Sequence, residues 1–388
     1  MSAAPTSRFR RLALTHAAMM GGEAAMVVAL ADSFFFDIDP NGARSKVLAF
    51  LVVSFAPFLL VAPFIGPAID RVRGGRRFIV QAVAASRIVV QLLMVVYVDR
   101  LALFPLVFVA LVLQKTYIVS KSAIVPAVVS NDRELVEANS KLGLIAGLAG
   151  AVAVAPAAGL QVLVGTGATL AYGAMLFALA LAASFGLPRE LVVRPDEPSA
   201  ASGAVATDGL LLAGVAMSML RGAAGFMLFH LAFWFRGRVD EKMLLGLAIG
   251  LSSVGTLVGN AVAPRLRRSL TEERMMTIAL AATAGAGLVA TAWGGPFAGI
   301  AVAAAVGFAA AIGRLSFESI VQRDGPSANR GQAFARFETR FQLAWVIAAI
   351  LPVLLEIPGR AGFALIGVVF AVGLANYLAG VRPAFTRR

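Results

Sequence analysis

The chain alternates long, continuously apolar segments with short polar connections that are rich in arginine. A helix needs about 20 apolar residues to cross the hydrocarbon core of a bilayer. Strands of a membrane β-barrel would be about ten residues long, with apolar and polar positions alternating. The apolar segments here are much longer than such strands and do not alternate. The pattern therefore predicts membrane-spanning α-helices.

Dividing the chain by this length predicts twelve spans, and a polar interruption separates the sixth from the seventh. The interruption, residues 188–207, contains proline and serine and reads as a flexible cytoplasmic linker. We therefore predict an all-α integral membrane protein, with six-helix bundles over residues 1–187 and 208–388. The predicted spans lie near residues 12–36, 46–69, 77–98, 101–128, 138–163, 168–187, 208–235, 243–263, 275–294, 297–322, 333–356 and 361–381.

The two halves of the chain resemble each other. A basic loop follows the second predicted span at Asp70–Arg77, and another follows the eighth at Arg265–Arg268. The connection IVPAVVSNDRELVEAN after the fourth span is echoed about half a chain later by SIVQRDGPSANRGQAF. The repeat predicts two bundles related by a pseudo-twofold axis. Such repeats are typical of secondary transporters, whose site lies between the halves near the midplane.

Composition supports a lipid-facing surface. Charged residues make up 14% of the 388 residues, while 59% are hydrophobic and the mean hydropathy is +0.84. A soluble protein carries about 25% charged residues, so this chain has too few to cover its outside. The net charge of +13 does not indicate a nucleic-acid partner, because the arginines are spread over many loops. Without cysteine, and with two histidines only, no metal site and no cofactor are predicted.

The distribution of lysine and arginine predicts the orientation. If the N-terminus is cytoplasmic, roughly nineteen basic residues fall in inside segments and about seven outside. Both termini are therefore expected on the cytoplasmic side of the cell membrane, which requires an even number of spans. We expect a monomer in contact with membrane lipids.

Several charged residues fall inside the predicted spans, where each costs about 2.5–3.5 kcal/mol on insertion scales. Glu23 lies about 16 Å into the first span at 1.5 Å per residue. It is a candidate for binding a proton or a cationic substrate, and the alternative is a buried structural ion pair. Arg314 and Glu318 are four residues apart and are predicted to pair with each other. The candidate residues for binding substrate or protons are Glu23, Arg87, Lys115, Lys121 and Arg221.

The stretch GPAIDRVRGGRR at 66–77 resembles the signature between the second and third helices of the major facilitator superfamily. In the second half, GNAVAPRLRR has Ala263 and Pro264 in the places of Asp and Arg. The resemblance implies twelve helices and alternating access. It also implies that an acid at the membrane edge pairs with arginines as a conformational latch. The latch residues are Gly66, Asp70, Arg71, Gly74, Arg76 and Arg77.

Two further stretches indicate a branch of the superfamily. AVAVAPAAGL at 151–160 resembles the helix-bending motif of exporters and keeps Pro156 and Gly159. VSKSAIVPAVVSNDRELVEANS at 119–140 is similar to macrolide-efflux proteins and bacterial lysophospholipid transporters, and Lys121 is closer to the latter. The resemblance implies export or flipping of a drug-like compound or a lysophospholipid, with proton antiport as one form of coupling.

Other functions are weighed against this one. An importer of nutrients or metabolites would share the same fold. A membrane receptor that does not transport would explain the fold but not the charges deep in the spans. An enzyme is disfavoured, because no histidine cluster or Ser/His/Asp arrangement recurs near one face.

The latch hypothesis makes Asp70 the residue to test, because an acid has no use in fixing topology. Asp70→Asn should insert normally but lose transport, since the pairing with arginines would be gone. Surface expression and transport into reconstituted vesicles measure the two effects separately. Transport at the wild-type rate in this variant would remove the latch.

Overall fold

The computed structural model describes residues 5–31, 75–98, 100, 102–129, 134–187, 208–236, 238–324 and 330–385. Regular structure in these ranges is α-helical throughout. The helices are α1 (Pro5–Ala31), α2 (Gly75–Val96), α3 (Leu103–Val128), α4 (Leu135–Leu163), α5 (Thr166–Ser184), α6 (Asp208–Phe235), α7 (Glu241–Ser269), α8 (Glu272–Trp293), α9 (Pro296–Asp324), α10 (Arg330–Leu354) and α11 (Gly359–Phe385).

Each of these eleven helices in the described part of the chain is long and apolar enough to cross a membrane. They correspond to eleven of the twelve predicted spans. The remaining predicted span, at 46–69, lies outside the described residues, as do the latch residues Gly66, Asp70, Arg71 and Gly74. Many apolar side chains on these helices are exposed, which is the arrangement that a lipid environment requires.

The chain divides into two compact units, and the first contains α1–α5. In this unit α5 packs against both α1 and α2, α1 also packs against α4, and α2 packs against α3. A buried apolar cluster joins α1, α2 and α5 through Met26, Leu30, Met94 and Leu170. Its residues recur every three or four positions on α1 and α2, the spacing that puts side chains on one helical face.

The second unit contains α6–α9, α10 from Phe337 onward, and α11. In this unit α9 packs against α7, α8 and α6, while α11 packs against α8 and α6. Buried rings join α9 to α10, because Phe317 meets both Phe337 and Phe341 edge to face with ring centroids 4.9 Å apart. Aromatic pairs in this geometry contribute about 0.5–1.5 kcal/mol beyond their buried area.

The same helix pairs recur in the two units. In the first unit α5 contacts α1 and α2, and in the second α11 contacts α6 and α8. The pair α2–α3 likewise corresponds to α8–α9. Counting the predicted span at 46–69, these pairs are related by a shift of six spans. The packing thus agrees with the repeat that the sequence predicts.

The predicted basic loop at Arg265–Arg268 is wrong, because α7 continues through it to Ser269. Arg267 and Arg268 lie in the last turn of α7, where positive charge interacts favourably with the negative end of the helix dipole. Pro264 lies inside the helix without ending it. The charged residues predict a loop because they end the apolar run, yet a helix can leave the membrane without ending.

Helices α7 and α9 approach each other closely through glycines. A Cβ added to Gly255 would collide with the carbonyl oxygen of Ala304, and one added to Gly307 would collide with that of Ser252. Small side chains allow helix backbones to approach in this way when the surrounding lipid provides no hydrophobic drive. This contact holds α7 against α9 within the second unit.

A matched pair of glycines on α7 tests this contact. Gly255→Ala should destabilise the protein by about 1–3 kcal/mol, because overpacking forces the backbones apart. Gly250→Ala should be neutral or stabilising, since nothing lies within 4 Å of the added methyl group and alanine favours a helix. Thermal unfolding in detergent micelles measures both. Equal shifts in the two variants would contradict the close contact.

Candidate functional site

A buried ion pair joins α1 to α2 inside the first unit. The Nη2 atom of Arg87 lies 2.6 Å from Oε2 of Glu23. The Arg87 side chain is 0% exposed and that of Glu23 is 8% exposed. Both residues lie well inside helices that are apolar enough to span a membrane. Two residues that were predicted separately as deep charges therefore meet, 64 positions apart in the sequence.

The surroundings of Arg87 are mostly apolar and hold its guanidinium group in place. The guanidinium carbon lies 4.4 Å from the ring centroid of Phe177 in α5, a cation–π contact. Its Nη1 atom lies 3.6 Å from the sulfur of Met26. Gly22 lets the Phe177 ring approach, since a Cβ there would lie 2.8 Å from it. The ion pair thus connects α1, α2 and α5 at one point.

Polar groups continue the cluster around the ion pair. The positive charge of Lys115 in α3 acts attractively on the Glu23 carboxylate. Gln91, one turn after Arg87, is fully buried, and its amide has no hydrogen-bond partner among the described residues. Its Nε2 atom lies 2.6 Å from where a Cβ on Gly173 would stand. Three of the five predicted binding residues, Glu23, Arg87 and Lys115, therefore belong to one cluster.

A second polar contact lies nearer the start of α1. His16 Nδ1 and the Tyr117 hydroxyl of α3 are 2.9 Å apart, both are buried, and their rings stack. Lys121 follows Tyr117 by one helical turn and is also buried, at 6% exposure. The sequence indicated Lys121 but neither His16 nor Tyr117 as part of this region. An isolated histidine and tyrosine in apolar spans carry no motif that would identify them.

Arg221 lies on α6, in the second unit. Its charge interacts with Glu338 of α10 and, repulsively, with Arg314 of α9. Arg314 itself forms the predicted pair with Glu318, with 2.9 Å between Nε and Oε1, so that prediction is confirmed. Arg221 thus belongs to a group of four charged residues that the sequence showed only in part.

Arg77 is the one latch residue whose side chain the structure describes. Its Nη1 atom donates to the carbonyl of Leu187 at 3.1 Å, just beyond the end of α5. Arg11 of α1 donates to the neighbouring carbonyl of Gly186 at 3.0 Å. Carbonyl groups at a helix end lack helical partners, and arginine is well suited to supply one. Arg77 therefore secures the end of α5 within its own unit.

The basic residues at the end of α7 take part in a network that the sequence did not indicate. Glu272, buried at the start of α8, receives Arg267 at 2.9 Å and Arg323 at 3.0 Å. The Ser319 hydroxyl donates to the same carboxylate at 3.1 Å. Arg323 also reaches Glu273 at 3.0 Å. In GNAVAPRLRR, Ala263 and Pro264 stand where the superfamily signature has Asp and Arg. The acid that pairs with these arginines is therefore Glu272 of the following helix, α8.

Pro156 and Gly159, the predicted helix-bending residues, lie inside α4, which runs without interruption from Leu135 to Leu163. Pro156 is exposed. A Cβ added to Gly159 would meet nothing within 4 Å. Among the described residues, Gly159 thus has no close packing contact of the kind seen at Gly255. Their bending role stays a prediction.

Among the described residues, no three or more His, Asp or Glu side chains group as a metal ion would require. The chemistry available in the first unit is that of charges and hydrogen bonds. A buried carboxylate with a neighbouring arginine and lysine can exchange a proton or bind a charged group, provided that the ion pair opens. The energetic cost of opening is therefore the property to measure.

Breaking the ion pair on one side should cost more than removing it. Arg87→Met leaves Glu23 buried without its partner and should destabilise the first unit by about 3–5 kcal/mol. Adding Glu23→Gln should restore most of that loss. Lys141→Met is the control, because its pair with Glu137 is half exposed and is expected to contribute at most about 0.5 kcal/mol. Thermal unfolding of the three variants in micelles gives the comparison, and equal loss in the single and double variants would show no coupling.

No family model matches the chain. The uncharacterized protein ML2143 of Mycobacterium leprae is 27% identical to it over 93% of the chain and 69% of the relative. The uncharacterized protein Rv0876c of Mycobacterium tuberculosis is 32% identical over a shorter stretch, 34% of the chain and 25% of the relative.

Several solved structures that are similar to this chain are transporters. A bacterial homologue of the iron transporter ferroportin, in its outward-facing state, superposes with a TM-score of 0.74 at 17% identity, covering 98% of this chain and 99% of that one. FucP, a transporter of the major facilitator superfamily, gives 0.72 at 11% identity over 96% and 98%. The human organic anion transporter MFSD10 gives 0.71 at 13% over 97% and 100%. The chain is an all-helical, multi-pass membrane protein with the fold of the major facilitator superfamily.

Proposed function

We propose that the protein is a secondary active transporter that works by alternating access and exports or flips a hydrophobic or amphipathic small molecule. The observation that carries the proposal is the buried pair of Glu23 and Arg87, with Lys115 acting on the same carboxylate. Placing these charges in a membrane-spanning unit is costly, and such residues commonly mark the path of an ion or substrate. The superfamily fold supports transport rather than enzymatic chemistry.

The ion pair offers a physical means of coupling to protons. A proton bound by Glu23 would remove the negative charge opposite Arg87 and leave a fully buried guanidinium without its counter-ion. Because that situation costs several kcal/mol, it favours a different arrangement in which Arg87 is hydrated or paired anew. Arg87 also contacts Phe177 of α5, so such a change would involve three helices. Protonation and helix position are linked in this way.

The proposed cargo is inferred from residues 119–140, which resemble the same stretch of macrolide-efflux proteins and lysophospholipid transporters. Within that stretch Lys121 is buried in α3, one turn from the Tyr117–His16 contact. A buried ammonium group on the same helix as Tyr117, one turn further along, suits an anionic or polar head group that enters from the lipid. A drug-like compound or a lysophospholipid meets this description.

Asp70 and the arginines around it are proposed as the latch.

We propose that the transporter acts as a monomer in the plasma membrane, with both termini in the cytoplasm. The excess of arginine in the segments assigned to the inside supports this orientation. The basic network of Arg267 and Arg323 around Glu272 lies at the end of the second unit that this orientation places in the cytoplasm. Membrane lipids would surround the exposed apolar side chains.

Reconstituted vesicles test the proposal directly. Labelled lysophospholipid and a cationic dye should be followed separately, with and without a pH gradient. Movement of the first indicates a flippase and movement of the second a drug exporter. Uptake of nutrients in place of export would favour an importer. If neither probe moves in either direction, both export functions fail.

Glu23→Gln tests the coupling residue. Transport should lose its dependence on the pH gradient, because the amide cannot exchange a proton. Glu137→Gln is the control, since this acid is half exposed on α4 and pairs with Lys141. Initial rates at several external pH values give the readout. A fully pH-responsive Glu23→Gln variant would exclude Glu23 as the coupling site.

A further inference from the structure

The side chain of Gln91 is buried on α2 without using its hydrogen-bonding groups. It is 0% exposed, and neither its amide oxygen nor its amide nitrogen has a hydrogen-bond partner among the described residues. Burial deprives such an amide of its hydrogen bonds to water, so most buried amides in proteins have partners. An unpaired amide at this place in the first unit therefore requires a physical reason.

Gln91 lies in the layer next to the ion pair of Glu23 and Arg87. It follows Arg87 by four residues, so the two side chains share one face of α2, with Cβ atoms about 5–6 Å apart. The residues of α5 that enclose them are also one turn apart. Phe177 stacks on the guanidinium group of Arg87, and Gly173 lies against the amide of Gln91. The two polar groups are therefore neighbours in one interface.

Glycine at position 173 brings the three helices together around the amide. A Cβ on Gly173 would stand 2.6 Å from Nε2 of Gln91 and 3.5 Å from the Cβ of Ala25 on α1. Helices α1, α2 and α5 thus meet at Gln91 as they meet at Arg87. Long side chains on a helix point back toward its N-terminus. This tilt directs the amide of Gln91 toward Arg87.

The ion pair also leaves polar atoms unused. Oε1 of Glu23 and Nε of Arg87 are buried and have no hydrogen-bond partner among the described residues. A guanidinium group carries five N–H donors, and an amide oxygen can accept hydrogen bonds through two lone pairs. Gln91 thus offers an unused acceptor one turn from a guanidinium group that has an unused donor.

No second carboxylate stands ready to replace Glu23 among the described residues. Outside the first and last two turns of α1–α5, the titratable side chains besides Glu23 and Arg87 are His16, Lys115, Tyr117 and Lys121. On α5, Tyr172 precedes Gly173. Lys115 acts attractively on the Glu23 carboxylate, as Arg87 does. If Glu23 loses its charge, Arg87 must therefore turn to a neutral acceptor.

We propose that Gln91 receives the guanidinium group of Arg87 when Glu23 is protonated. A proton from water binds to the Glu23 carboxylate, and the charged contact between the two side chains is lost. The amide oxygen of Gln91 then accepts an N–H group of Arg87, which keeps its own proton and changes only its partner. Gln91 is thus a positioning residue for the coupling step. This partner exchange rests on the proposed function above.

Thermal unfolding of the full-length protein in dodecyl maltoside micelles tests the partner exchange without transport. Glu23→Gln stands in for the protonated carboxyl group. With Glu23 present, Gln91→Met should leave the unfolding temperature nearly unchanged or raise it, because methionine removes an unpaired amide at similar volume. In the Glu23→Gln background the same change should lower it by about 3 °C or more, since Arg87 loses its acceptor.

Two controls assign this coupling to Arg87. Gln81→Met makes the same substitution on another face of α2 and should have equal effects in both backgrounds. In the Arg87→Met, Glu23→Gln background, Gln91→Met should again cost nothing, because no guanidinium group needs the amide. Equal effects of Gln91→Met with Glu23 and with Glu23→Gln overturn the proposal, as does a loss that persists without Arg87. If Gln91→Met does not fold, Gln91→Ala gives the same comparison.

Transport separates the partner exchange from the proposed function. In vesicles, Gln91→Met should slow pH-driven movement about tenfold, the effect of losing one hydrogen bond to a charged group. The probe is whichever of labelled lysophospholipid and the cationic dye the wild type moves. The slower rate should still depend on the pH gradient, because Glu23 remains able to bind the proton. Coupling in micelles without any transport contradicts the proposed function alone, and a wild-type rate in Gln91→Met contradicts the partner exchange alone.

Discussion

The contact between Glu23 and Arg87 is the interaction on which the first unit depends. Burying two opposite charges in a membrane-spanning unit costs several kcal/mol for each ion, and their attraction repays this only while they stay together. The guanidinium group of Arg87 is enclosed by Phe177 and Met26. Among the described residues, Glu23 is the one acid that pairs with it. Three helices are therefore held at one point by an interaction that a single proton can weaken. In the transporter that we propose, this proton would link the ion pair to alternating access.

The second unit accommodates its charged side chains differently. Its deep charges form a group of four rather than one sealed pair, and Arg314 is partly exposed. Nearer the helix ends, Glu272 is enclosed by Arg267, Arg323 and Ser319. The first unit thus keeps the Glu23–Arg87 pair buried, whereas Arg314 of the second unit is partly exposed.

Glycine makes both arrangements possible. Gly22 admits the Phe177 ring against which Arg87 stacks, and Gly225 brings α6 onto α10. Gly255 and Gly307 do the same for α7 and α9. In a membrane the surrounding lipid is as apolar as the helix surfaces, so close approach and van der Waals contact must supply the association that water drives in soluble proteins. The small residues therefore decide which charged side chains can meet.

The sequence by itself determined the helical class, eleven of the twelve predicted spans and the pairing of Arg314 with Glu318, because length, hydropathy and helical spacing are local properties. It also marked Glu23, Arg87, Lys115 and Arg221 as charges inside spans. Only the tertiary structure decided that Glu23 meets Arg87 and that Arg221 instead joins Glu338 and Arg314. It also showed that Arg77 secures the end of α5 and that α7 runs through the predicted basic loop. These depend on which helical faces pack together, and apolar faces rich in alanine and glycine leave almost no trace of that choice in the sequence.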